Sequence, residues 1–197
     1  MKFLLLMVMA FPAHAEELLE KIMQRLAEPP VIRAQFVQER LIADITRPTV
    51  SRGRITVSRR DGVLWQTESP VRVTLAFTPN GIIQTGADGV RRAPAQRRGI
   101  ETEIARVMQG ILGADAASLN ASFEAQASGS LERWTVRLAP RAREVARFLR
   151  HIRLDGGRRL EAIEIEETSG NTTTIRMSQF SVAEKLEPEE LAQFRTP

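Results

Sequence analysis

The residues able to do covalent chemistry in this 197-residue chain are few. There is no cysteine, which excludes a thiol nucleophile, structural disulfides and cysteine-ligated metals. For the same reason no lipid anchor through an N-terminal cysteine is expected. The histidines are His14 and His151. His151 is flanked by Arg150 and Arg153, which are not metal ligands, and lies mid-strand without a nucleophile motif, so it reads as an exposed strand residue. The carboxylates of "EAIEIEE" (Glu161, Glu164, Glu166, Glu167) are the remaining candidates. A carboxylate pair can hydrolyse a glycan or lipid bond, and that reading stays open. Clustered on a strand with arginines facing them, however, they better fit a solvated, salt-bridged surface. No phosphate loop, dinucleotide fingerprint or metal-ligand spacing occurs. The expectation is binding without catalysis: no enzyme, no cofactor and no metal.

Arginine is the other conspicuous type. Lysines are limited to Lys2, Lys21 and Lys185, and the net charge is +4. In "GRITVSRRDGVLWQTESP", Ile55 and Val57 share one face of a strand while Arg54, Thr56 and Ser58 share the other. Continuing the step of two sets Arg59 on the apolar face. Alternatively the strand has already ended, and Arg59 and Arg60 lie in a wet turn around Asp61 and Gly62.

The elements that must position these residues follow from periodicity. "EELLEKIMQRLA" places Leu18, Leu19, Ile22, Met23 and Leu26 on one face of a helix ended by Pro29 and Pro30. From Val31 to Gly86 strand signals dominate. Ala34, Phe36 and Gln38 share a face, and Val71, Val73, Leu75 and Phe77 alternate strictly. Residues 86–99 are basic and rich in breakers, so they read as a loop. "IETEIARVMQGILG" then gives a second amphipathic helix through Ile100, Ile104, Val107, Met108, Ile111 and Leu112. Strands resume at "ASFEAQA" and "RWTVRLAP", and the chain ends in hairpins turning at Gly156-Gly157 and Ser169-Gly170-Asn171. "EPEELAQF" reads as a short helical or irregular tail. Antiparallel strands with polar outer faces need one face covered, and the two amphipathic helices are the segments available to cover it. The expected fold is α+β, mainly β: a curved antiparallel sheet, an incomplete barrel, under a helical lid.

The start, "MKFLLLMVMAFPAHA", has one lysine, a short apolar run and an Ala-x-Ala ending. It reads as a cleavable signal peptide (1–15), leaving residues 16–197 as a single periplasmic domain. Loss of Lys2 leaves +3 (4 minus 1). Aromatic content is only 5% and export leads away from the genome, so no nucleic-acid partner is expected.

Taken in order, the signal peptide, the amphipathic helix, "IRAQFVQ", "GRITVSRRDGVLWQTESP", "RLAPR", the terminal hairpins and "FRTP" form a set that resembles the family of periplasmic lipoprotein carriers typified by LolA. Ile32, Ala34, Phe36 and Gln38 match the family's first strand. Gly53, Ile55, Val57, Arg59, Trp65 and Pro70 match its second block in register, with Leu138, Pro140, Arg141, Phe194 and Pro197 following. The resemblance implies an incomplete barrel, capped by helices, around an apolar cavity for acyl chains. It also implies a carrier, or chaperone, moving lipoproteins from the inner toward the outer membrane. The alternative is a related carrier of another amphiphile, such as a free lipid or polyene-type pigment precursor. The implied partners are lipid-modified proteins or such an amphiphile, an inner-membrane transporter and an outer-membrane acceptor, with the carrier itself a monomer. By resemblance Arg59 latches the lid through helix carbonyls. Arg60 replaces the family's proline and leaves the neighbouring arginine open as the latch. The cavity candidates are Phe36, Ile55, Val57, Trp65, Val73, Leu75 and Phe77, several of which also suit an ordinary core. Leu19, Ile22, Ile104 and Met108 are the lid residues.

Overall fold

A computed structural model describes residues 11–78, 81–92, 110 and 116–195. The first helix, α1 (Phe11–Ala27), buries Leu19, Ile22, Met23 and Leu26, a stripe at helical spacing. Pro12 falls in its first turn, where a missing N–H costs nothing. Six strands follow: β1 (Val31–Leu41), β2 (Thr49–Ser58), β3 (Gly62–Ser69), β4 (Val73–Thr78), β5 (Gly81–Thr85) and β6 (Arg91–Arg92). A short helix α2 (Ala116–Ser122) leads into β7 (Phe123–Gly129) and β8 (Trp134–Pro140). Helix α3 (Arg143–Ala146) precedes β9 (Leu149–Gly156), β10 (Leu160–Glu167) and β11 (Thr172–Ala183), and α4 (Pro188–Phe194) ends the described chain.

All eleven strands form one antiparallel sheet, ordered β6-β5-β4-β3-β2-β1-β11-β10-β9-β8-β7. Two meanders, β1–β6 and β7–β11, meet where β1 pairs with β11, Val31 opposite Ala183 and Leu41 opposite Thr172. The sheet curves without closing, with β6 and β7 as its edges. One apolar cluster fills its concave side and includes the four buried residues of α1.

Several expectations change. Val71 is exposed and β4 begins only at Val73, after the turn at Ser69-Pro70. Ala121 and Ser122 end helix α2, so β7 begins at Phe123. Arg91 and Arg92, assigned to a loop, make a two-residue edge strand beside β5. The tail is a defined helix because Glu187 and Glu190 form a reciprocal capping box around Pro188 at its first turn. That helix covers part of the sheet's outer face: Leu64, Ala76 and Ile83 are buried there with Phe194 against them, and Thr56 and Ser58 are buried too. Strands β3 to β5 therefore bury apolar residues on the outer face as well, a pattern that alternation on one face does not reveal. The second amphipathic helix, with Ile104 and Met108, lies outside the described residues.

Candidate functional site

The concave face carries the site. Phe36 from β1, Ile55 and Val57 from β2, Trp65 from β3 and Phe77 from β4 are buried in the same cluster as Leu19 and Ile22, and Leu75 packs against it. Val73, at the start of β4, is half-buried and lies outside that cluster. The rings of Phe36 and Trp65 approach to 4.2 Å between centroids, tilted at 36°. Gly53, opposite Phe36, makes that approach possible: a Cβ there would lie 1.9 Å from the carbonyl oxygen of Gln66 and 3.0 Å from the Phe36 ring.

With α1 in place, a cavity of about 30 Å³ lies between Leu26, Ala34, Ile55, Val57, Met177 and Phe180. That is room for roughly two waters, far short of an acyl chain. The arrangement is a closed one, in which α1 occupies the apolar concavity.

Both ends of the last turn of α1 are tied down by arginines. Strand β2 stops at Ser58, whose hydroxyl donates to Asp61 Oδ2 at 2.7 Å and so sets the turn. From that turn the Arg59 amide donates to Pro30 O at 3.2 Å, and its Nη1 donates to the carbonyl oxygen of Ala27. Ala27 is the last residue of α1, where carbonyls lack helical partners and the dipole favours a cation. Arg60 instead points to solvent, 84% exposed and 3.5 Å from Asp61 Oδ1. Arg25 Nη1 donates to Leu131 O at 2.7 Å, holding the same turn to the β7–β8 connection. Arg59 is exposed, so the strand did end before it and it does not sit on the apolar face.

Three of the four β10 carboxylates are ion-paired, and Glu161 is exposed. Glu164 meets Arg153 at 3.2 Å, Glu166 meets Arg150, and Glu167 meets Arg40 at 3.0 Å. His151 is less exposed than its sequence position suggests, with 12% of its side chain accessible. Burial, then the charge of Arg137, pushes its imidazole below the ordinary value, against the opposing pull of Glu166 and Glu164. Its Nδ1 lies 3.3 Å from Glu166 Oε2 without hydrogen-bond geometry.

Sequence reasoning missed two features. The first is the anchor of α4: Arg33 donates to both oxygens of Glu190, at 2.7 and 2.5 Å, and Thr56 Oγ1 donates to Oε1 at 3.1 Å. "EPEE" was the available signal. The second is Arg159, beside the cavity, in the "GGRRL" turn between β9 and β10.

These features define an open antiparallel barrel with an amphipathic helix seated in its apolar concavity. The chain belongs to the family described as outer membrane lipoprotein carrier protein LolA-like, whose sequence profile matches residues 12–190. Among solved structures, a LolA superfamily protein from Nitrosomonas europaea is similar over 90% of this chain and 96% of its own, at 12% identity and a TM-score of 0.50. The Pseudomonas aeruginosa MucA/MucB complex contains a chain similar over 90% of this one and 60% of its own, also at 12% identity and 0.50. A putative outer membrane lipoprotein-sorting protein domain from Vibrio parahaemolyticus matches 92% of this chain and 100% of its own, at 10% identity and 0.46. No curated protein sequence gives a match. No helix among the described residues is long and apolar enough to cross a membrane.

Proposed function

We propose that this protein is a non-enzymatic periplasmic carrier, exported by a cleaved signal peptide at residues 1–15, that takes the acyl chains of lipid-modified proteins into its concavity. It receives them at the inner membrane from a transporter and passes them to an acceptor at the outer membrane. Cleavage of the signal peptide removes residues 11–15 from α1 and leaves its buried stripe from Leu19 to Leu26. The observation that carries this reading is that α1, held by Arg59, fills the apolar concave face, the surface that this reading gives to an acyl chain.

The magnitudes suit a carrier. Burying Leu19, Ile22, Met23 and Leu26 stabilises closure by about 1.5–3 kcal/mol each, roughly 6–12 kcal/mol together as an upper estimate. A sixteen-carbon chain gains about 12 kcal/mol at ~0.8 kcal/mol per methylene. Helix and a single acyl chain therefore differ by at most about 6 kcal/mol, so closure offsets much of the gain from one chain and eases its release. The Arg59 bond contributes about 1 kcal/mol to closure, a bias and not a lock.

Mass spectrometry of material co-purified from periplasm without detergent tests the reading. Triacylated protein in the bound fraction supports it. Free lipid or pigment precursor shifts the cargo to another amphiphile. Bound material lacking any acyl or polyene chain overturns it.

A further inference from the structure

The turn between β9 and β10 presents two arginines to an open groove of about 470 Å³ at the end of the sheet. The turn is held firmly: Trp134, buried, donates through Nε1 to Gly157 O at 2.7 Å, and the Gly157 amide donates to Arg159 O at 3.1 Å. Gly156 has no room for a Cβ, which would lie 2.5 Å from the Trp134 ring. Arg158 and Arg159 therefore leave a fixed platform. Arg159 lies over the Phe180 ring, 5.7 Å from its centroid, yet its Nη1 is out of solvent and donates to nothing. A desolvated guanidinium nitrogen without an acceptor is costly, and stacking on a ring replaces only part of its hydration.

The same side chain borders two spaces. Leu26, Ile32 and Arg159 line both the groove and the apolar cavity behind it, so they form the wall between them. Arg25 also lines the groove, with its Nη1 given to Leu131 O. Glu28 and Glu184 complete its charged lining. Among the described residues neither carboxylate comes within ion-pair distance of Arg158 or Arg159, so the arginines keep their capacity for another anion.

We propose that Arg159, with Arg158 beside it, binds the anionic head group, carboxylate or phosphate, of an acyl amphiphile whose chain enters the concavity past Leu26 and Ile32. The inference rests on the carrier reading and extends its cargo class, because an amide-linked lipoprotein acyl group brings no such charge at its head. The missing acceptor for Arg159 Nη1 is then supplied by the ligand. Leu26 precedes Ala27, so entry past it displaces the same helical turn that Arg59 holds.

Tritiated palmitate and tritiated hexadecanol, equal in chain length and different in head group, test the proposal by equilibrium binding at pH 8. The wild-type protein is expected to bind palmitate at least tenfold more tightly than hexadecanol. Arg159→Gln should bring that ratio near one by weakening palmitate alone, and Arg159→Lys should keep part of it. A wild-type ratio near one overturns the proposal without reference to any variant, as does an unchanged ratio in a folded Arg159→Gln. Inorganic phosphate distinguishes a free-anion site: Arg159-dependent phosphate binding that palmitate does not displace overturns the amphiphile reading. If hexadecanol and a synthetic triacylated peptide also fail to bind, the carrier reading falls with it. If they bind without head-group preference, only the head-group site falls.

Discussion

Arg59, in the turn that follows β2, donates a hydrogen bond through Nη1 to the carbonyl oxygen of Ala27, the last residue of α1. The adjacent Arg60 does not take part and lies almost wholly in solvent. The bond joins the rim of the sheet to the end of the helix that fills its concavity.

Arg59→Leu removes that bond and should loosen the last turn of α1. Hydrogen exchange of the amides near Ala27 is expected to accelerate about fivefold, the factor that ~1 kcal/mol represents. Acyl cargo should then be released more slowly, because the closed state competes less well. Arg60→Leu should leave both unchanged; a reversal of the two variants would move the latch to Arg60.

Ile22 is 1% exposed on the face that α1 turns to the sheet. Ile22→Ala should lower the stability of the empty protein by about 2 kcal/mol or more. The same change should raise affinity for an acyl probe by up to about thirtyfold, the factor that ~2 kcal/mol represents, since closure and cargo use the same surface. Urea unfolding and probe binding would both have to be measured. A loss of stability with no gain in affinity would mean that α1 is plain core.

Gly53→Ala brings a methyl group against the carbonyl of Gln66 where the β2–β3 register shifts between Arg52 and Gly53. Overpacking of this kind costs about 1–3 kcal/mol. Thermal melting should show the loss, and Trp65 fluorescence should change as the Phe36–Trp65 contact opens.

Helix α4 should undock in acid. Burial by itself raises the Glu190 carboxyl, but the Arg33 hydrogen bond, the Glu187 amide, the Arg33 charge and the Thr56 hydroxyl together hold it below the ordinary glutamate value. A depressed carboxyl contributes stability that is full above the unfolded value and is lost as pH falls through the folded one. Limited proteolysis at the C-terminus should therefore quicken below the ordinary glutamate range. In Arg33→Gln the helix should already be susceptible at neutral pH.

His151 should titrate below the ordinary imidazole range in an NMR pH series, because burial and Arg137 outweigh Glu166 and Glu164. Its folded value is lowered, so its contribution to stability is full above the unfolded value and declines as pH falls from there to the folded value. His151→Gln should flatten that part of the stability profile. An ordinary titration would show that the ring is freely hydrated.

What the sequence determined by itself was periodicity. Leu19, Ile22, Met23 and Leu26 mark a helix with one apolar face, and Phe36, Ile55, Val57, Trp65 and Phe77 mark strands with one, because 3.6- and 2-residue repeats are properties of the local backbone. The poverty of catalytic side chains was equally plain. Only the tertiary structure decided what those faces meet. The acceptor of Arg59 lies 32 residues away, and Glu190 lies 157 from Arg33. Thr56 reads as a polar outer residue until α4 brings Glu190 to it. Arg159 is one arginine among many until burial strips its Nη1 of water and offers no acceptor. Spacing along a chain sets which side of an element is apolar; long-range pairing sets which polar groups on the other side find partners, and which are left for a ligand.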